Sequence, residues 1–148
     1  MAATKSADDI RSEIGSAFDG YVAELAQAAP HWDRKPASGE GEDAWCARQV
    51  AEHIAGASLF FGAGIAQAIG VSGPTLDRVE LPDAGAAAPK TQANQAAFMA
   101  VAAQVSNEQL AMEIDHPRLG KQTLGGILEI VTHHHRDHAQ QLKTLREG

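Results

Sequence analysis

The sequence predicts an all-α protein, an antiparallel four-helix bundle with long connecting loops, and three observations predict it. Aromatic residues are only 5% of the chain while alanine is abundant, so the core must be assembled from Ala, Leu, Ile and Val, side chains that favour or tolerate helices. Four stretches repeat apolar residues at alternating steps of three and four, the stripe of an amphipathic helix. No stretch alternates apolar and polar residues convincingly enough for a half-buried strand. At 148 residues, 44% of them hydrophobic, the chain has the size of one domain around a single core, residues 1–148.

The first helix is carried by Ile10, Ile14, Ala17, Tyr21, Leu25 and Ala28, with Ser6 and Asp9 spaced as a capping box and Pro30 ending it. Pro30 to Asp43 has Pro36, Ser38, Gly39 and Gly41 without a period and reads as a surface connection. The second helix begins after Trp45, follows Val50, Ile54, Ala57, Phe61, Ile65 and Ala68, and stops near Gly70. Ser72 to Lys90 holds three prolines and reads as a long crossover loop, with an extended piece around Val79 to Leu81. The third helix is expected over Thr91 to Met112, with Phe98, Ala102, Val105 and Met112 inward and Gln92, Asn94, Asn107 and Glu108 solvated. Asp115, Pro117 and Gly120 mark its exit. The fourth starts with Thr123 as N-cap and runs to about Leu145, presenting Leu124, Ile127, Leu128, Val131, His138, Leu142 and Leu145 on one face.

A net charge of −7 sets up a field that repels phosphates and anionic lipid, so the expectation is no nucleic-acid partner and no membrane partner. No apolar run approaches the roughly 18 to 20 residues of a bilayer span, and the polar start, Met1 to Ile10, is wrong for a signal peptide. The lone Cys46 cannot form an internal disulfide and reads as a small buried hydrophobe, which fits a cytoplasmic location.

Seven histidines are His31, His53, His116, His133, His134, His135 and His138, four of them within six residues of the last helix. Residues four apart on a helix lie one above the other, so His134 and His138 can aim at a shared point that zinc and similar ions occupy readily. The inward direction of that helix passes through His138 and between His134 and His135. Periodicity therefore leaves His135 with His138, three apart, as a competing pair. His133 points away and reads as solvated. His53 lies at the edge of the stripe of the second helix, where a half-buried imidazole needs a hydrogen bond or a metal to offset its desolvation.

Two stretches resemble the DinB family (DinB/YfiT-like) of small metal-binding four-helix proteins. Trp45-Cys46-Ala47-Arg48-Gln49-Val50-Ala51-Glu52-His53-Ile54 is similar to the family's Trp, capping residue and helix bearing the first metal histidine. His116-Pro117-Arg118-Leu119-Gly120, Thr123-Leu124 and His134-His135-Arg136-Asp137-His138-Ala139-Gln140-Gln141-Leu142 resemble its Pro and Gly turn leading into a last helix with two metal histidines four apart. The resemblance implies His53, His134 and His138 as the ligands and prefers His134 over His135. Cys46 stands where the family usually carries a hydroxyl cap, with Asp43 as the substitute cap.

Three imidazoles leave a coordination position open on Zn, Ni, Mn or Fe, which suits Lewis-acid chemistry on water or a thiol. Known activities of the family imply a metal-dependent thiol S-transferase or hydrolase acting with a low-molecular-weight thiol or another small-molecule substrate. The alternative is a non-catalytic metal-binding or stress-response bundle. Glu52 and Asp137 read as partners of the ligands rather than as bases, Trp45 as core or interface before pocket, and Arg48 and Arg136 as solvated rather than anion-binding. Gly56, Gly62 and Gly64 permit close helix approach, and together with the family habit they imply a homodimer.

Overall fold

The computed structural model describes residues 5–147; residues 1–4, the beginning of the polar start discussed above, and residue 148 lie outside the described residues. Four helices form the body: α1 (Ala7–Leu25), α2 (Ala47–Ile69), α3 (Ala84–Ala102) and α4 (Leu124–Glu147). α1 packs along α4 and α2 along α3. Asn94 Nδ2 donates to the Ala55 carbonyl and Gly62 faces Phe98, so α2 and α3 run side by side in the same direction. Arg146 binds Glu24 at one end while Lys5 meets Glu129 at the other, so α1 and α4 are also parallel. The two pairs run antiparallel to each other, which is why the chain needs a crossover the length of the bundle between α2 and α3. No helix is long and apolar enough to cross a membrane among the described residues.

The helix starts follow local chemistry. Ser6 and Asp9 form the expected capping box on α1. At α2 the N-cap is Cys46 and not Asp43; Gln49 Oε1 accepts from the Cys46 N–H at 3.0 Å, and the thiol is buried as a hydrophobe should be. Gly70, at φ +75°, closes α2 in the left-handed conformation. Thr123 Oγ1 accepts from the Gly126 N–H at 3.0 Å and holds the start of α4, ahead of two glycines that contribute nothing to helix stability. Thr123→Ala is expected to lower unfolding free energy by about 1 kcal/mol, read as a lower urea midpoint at unchanged m-value.

Three sequence expectations change. α1 ends at Leu25, and a 3-10 turn, Ala29–His31, carries Pro30. α3 begins at Ala84, seven residues before the expected start, and ends at Ala102, ten before the expected end. Pro89 is only its sixth residue, so the ring costs one hydrogen bond near the helix start, and Asp83 caps that start by accepting from the Ala86 N–H at 2.9 Å. With α3 placed earlier, Asn94 is buried against α2 instead of solvated, and Met112 is exposed. Val79 to Leu81 lies outside the helices and joins no sheet among the described residues. Leu81 is instead pinned through its N–H on Glu52 Oε2 (2.8 Å) and its carbonyl on the Trp32 indole (3.3 Å).

The third change is a β-hairpin, β1 (Glu113–His116) with β2 (Gly120–Thr123), between α3 and α4. His116 pairs with Gly120 across Pro117-Arg118-Leu119, and Gly120 takes φ +74°, the left-handed residue that closes a three-residue hairpin loop. His116 Nδ1 accepts from the N–H groups of Arg118 and Leu119, so this histidine holds the turn.

The core has two apolar clusters. One, around Ile14, Ile65, Phe98 and Leu128, lies at the hairpin end; the other, around Tyr21, Val50, Ile54 and Leu142, lies at the opposite end. Each fully buried aliphatic side chain there contributes about 1.5–3 kcal/mol by leaving water. Gly62 belongs to this interior: a Cβ on it would meet Pro74 at 3.1 Å and the Phe98 backbone at 3.5 Å. Its small size serves contacts within the chain.

Candidate metal centre

α2 brings His53 to the same place as His134 and His138 of α4. Because α2 and α4 are antiparallel, a single residue of one faces a full turn of the other. Ring centroids are 4.8 Å apart for His53 and His134, 5.0 Å for His53 and His138, and 4.6 Å for His134 and His138. One nitrogen from each ring lies within 4.8 Å of the other two, a group able to hold a metal ion. His53 Nε2 and His134 Nε2 are 2.9 Å apart. Four nitrogens around zinc, each at about 2.05 Å, would stand about 3.4 Å from one another, so uptake of an ion asks these two rings to part by about 0.5 Å. The donor set fits: three neutral nitrogens suit Zn, Ni and Fe.

The electrostatics favour neutral rings at His53 and His134. Burial pushes His134 down to about 3, with His138 and His53 adding to the shift. Burial also lowers His53, followed by His138, and Glu42 opposes them. Lone pairs are therefore available at pH 7, which a ligand requires.

The structure separates the two pairings that periodicity left open. His135 points to α1, packed edge-on to Phe18 at 5.5 Å and against Tyr21 at 6.2 Å, with neither ring nitrogen hydrogen-bonded. His133 is exposed as expected. His31 is buried elsewhere, while His116 lies outside the cluster but against Phe60 and Phe61 in the lining of the cavity that reaches it.

Around the three rings stand residues of mixed legibility. Trp45, read first as core, stacks along His138 (16° between planes, 6.4 Å) and tilts over His53 at 5.0 Å. Gln141 Oε1 lies 2.8 Å from His138 Nδ1, while Gln141 Nε2 donates to the Glu42 carbonyl at 2.6 Å. The amide oxygen can only accept, so Nδ1 carries the proton and Nε2 faces the cluster. Glu52 holds Arg48 and the Leu81 N–H, and Arg48 also binds Asp33, which leaves neither for a substrate. Arg136 is exposed beside Ser16 and Gly20, away from the cluster.

A cavity of about 580 Å³ ends on His53 and His134, walled by Phe60, Phe61, Leu119 and Ile130. Arg118, 5.3 Å above the Phe60 ring, stands in its lining and has no ion-pair partner among the described residues. Sequence reasoning singled out neither Arg118 nor Gln141 nor Glu42. Gln141 follows His138 by three, a spacing that places both on one helix face and could have signalled it.

The DinB superfamily model matches residues 12–142, and the chain belongs to that family. A search of curated proteins returns no match. Among solved structures, the chain is similar to the colibactin self-resistance protein ClbS in complex with a dsDNA, with 13% sequence identity, 99% of each chain covered and a TM-score of 0.68. That neighbour overturns the exclusion of nucleic acid drawn from net charge. A protein of this fold is seen on duplex DNA, and a charge summed over a whole surface says nothing of the potential on one face of it.

Proposed function

We propose that His53, His134 and His138 ligate one divalent ion, Zn, Ni, Mn or Fe, and that the site serves a metal-dependent enzyme of the thiol S-transferase type. The observation that carries this reading is the convergence of three imidazoles at the end of a largely apolar cavity whose wall holds a guanidinium, Arg118, with no ion-pair partner among the described residues. Bound there, the ion would supply Lewis acidity and lower the pKa of a thiol. The chain's own residues do the rest. Phe60, Phe61, Leu119 and Ile130 keep water from the inner cavity, Arg118 receives an anionic end of a small thiol, and Gln141 holds the proton on His138 Nδ1.

The test is turnover of monochlorobimane or an epoxide by the metal-loaded protein with a panel of low-molecular-weight thiols. Thiol-dependent turnover that Arg118→Ala weakens chiefly through KM is the expected result. Metal uptake without turnover by any thiol would favour the second reading, a metal-binding bundle without catalysis. A labelled DNA duplex belongs in the same series because of the ClbS complex; tight, saturable binding together with no thiol turnover would move the assignment to nucleic acid.

A further inference from the structure

The three histidines supply only part of a coordination sphere, and one further side chain leans over them. Glu42 lies in the 3-10 turn Gly41–Ala44, which precedes α2. Its Oε1 is 3.6 Å from His53 Nε2 and 3.9 Å from His138 Nε2. Donor atoms sharing a tetrahedral ion with bonds of about 2.05 Å stand about 3.4 Å apart, so the carboxylate already lies near ligand spacing from two of the three nitrogens. Among the described residues its carboxylate makes no ion pair with lysine or arginine.

The loop is built to hold Glu42 there. Gly41 has φ +57° and Gly39 φ +131°, both in the region that favours glycine, and a Cβ on Gly39 would come within 2.6 Å of the Asp43 carbonyl oxygen. The Glu42 carbonyl accepts from the Trp45 N–H at 3.1 Å and from Gln141 Nε2 at 2.6 Å. The same Gln141 binds His138 Nδ1, so one amide ties the carboxylate's backbone and the imidazole's orientation together.

We propose that Glu42 is the fourth protein ligand of the metal, a single carboxylate oxygen completing a three-histidine, one-carboxylate set. This rests on the metal-site reading above. Such a set would halve the charge of a bound divalent ion, and Glu42, on an exposed turn that lines two cavities, would be the protein ligand most open to exchange.

The experiment is zinc competition against a chromophoric chelator, together with cobalt(II) absorption, on the parent, Glu42→Gln and Glu40→Gln. Glu40 is an exposed acid of the same loop and controls for general charge. Expected are zinc affinity at least about tenfold weaker and an altered cobalt spectrum in Glu42→Gln only, with unfolding midpoints of the metal-free proteins unchanged. Equal affinity and identical cobalt spectra in the parent and Glu42→Gln would overturn the assignment of Glu42 and leave the histidine site standing. A parent that takes up neither ion would overturn the histidine site itself, and Glu42 with it.

Discussion

His138→Ala is expected to weaken metal binding more than about 100-fold, since loss of a mere hydrogen-bonding partner of a ligand costs roughly 10–100-fold. His138 is buried, its Nδ1 is held by Gln141, and its ring is stacked against Trp45, so its Nε2 is aimed at the cluster by these contacts. Removing it leaves His53 and His134, whose nitrogens face each other at 2.9 Å and can pair through a shared proton instead of a metal. His135→Ala is the informative control, because that residue is next to His134 in the chain yet faces α1. Isothermal titration should show parent-like affinity for His135→Ala and a collapsed isotherm for His138→Ala.

The metal-free protein is expected to lose stability steeply in mild acid, and His135 is a principal cause. Burial between Phe18 and Tyr21 pushes it down to about 4, with His138 adding to the shift, from an ordinary value near 6.5. Between those two pH values the unfolded chain binds a proton at this ring and the folded chain does not. The stabilising effect is thus complete above pH 6.5 and is lost as the pH falls toward 4, in all about 3 kcal/mol from this residue. His135→Leu replaces a ring with no hydrogen-bond partner by hydrocarbon of similar size, so its stability at pH 7 should stay within about 1 kcal/mol of the parent. Urea midpoints measured with chelator at pH 7 and pH 5 should lie closer together in the variant than in the parent, the remaining fall coming from His134 and His53. A parent whose midpoint does not fall with pH would show that His135 is accessible to protons in the folded state.

The helices were legible where one face meets the core over several turns. Ile10, Ile14, Ala17, Tyr21 and Leu25 keep the three-four spacing and are all buried, as are Val50, Ile54 and Ile65 of α2 and Leu124, Ile127, Leu128, Val131, Leu142 and Leu145 of α4, while Ala57 and Phe61 of the expected α2 stripe are half-buried. α3 was mistimed because its pattern is weak on every face: Thr91, Asn94 and Gln95 are buried beside Phe98, and polar residues packed between two helices erase the contrast that periodicity needs. The hairpin was missed because four-residue strands with one buried position, His116, carry almost no alternation. At the site, helix spacing left His134 and His135 as alternatives, and the family resemblance pointed to the three histidines that the structure brings together. Glu42 lies on a loop that has no period, and Arg118 is aimed by the hairpin turn, so only the folded chain brings them to the cavity.

The account's central claim is that three imidazoles from two helices share one cation. Elemental analysis of the protein purified without a nickel column tests it most directly. The prediction is close to one transition-metal ion per chain, removed by chelator and restored by zinc, with none retained by a His53→Ala, His134→Ala double variant. A folded parent that carries no ion and takes up none when offered zinc, nickel, manganese or iron(II) would contradict it.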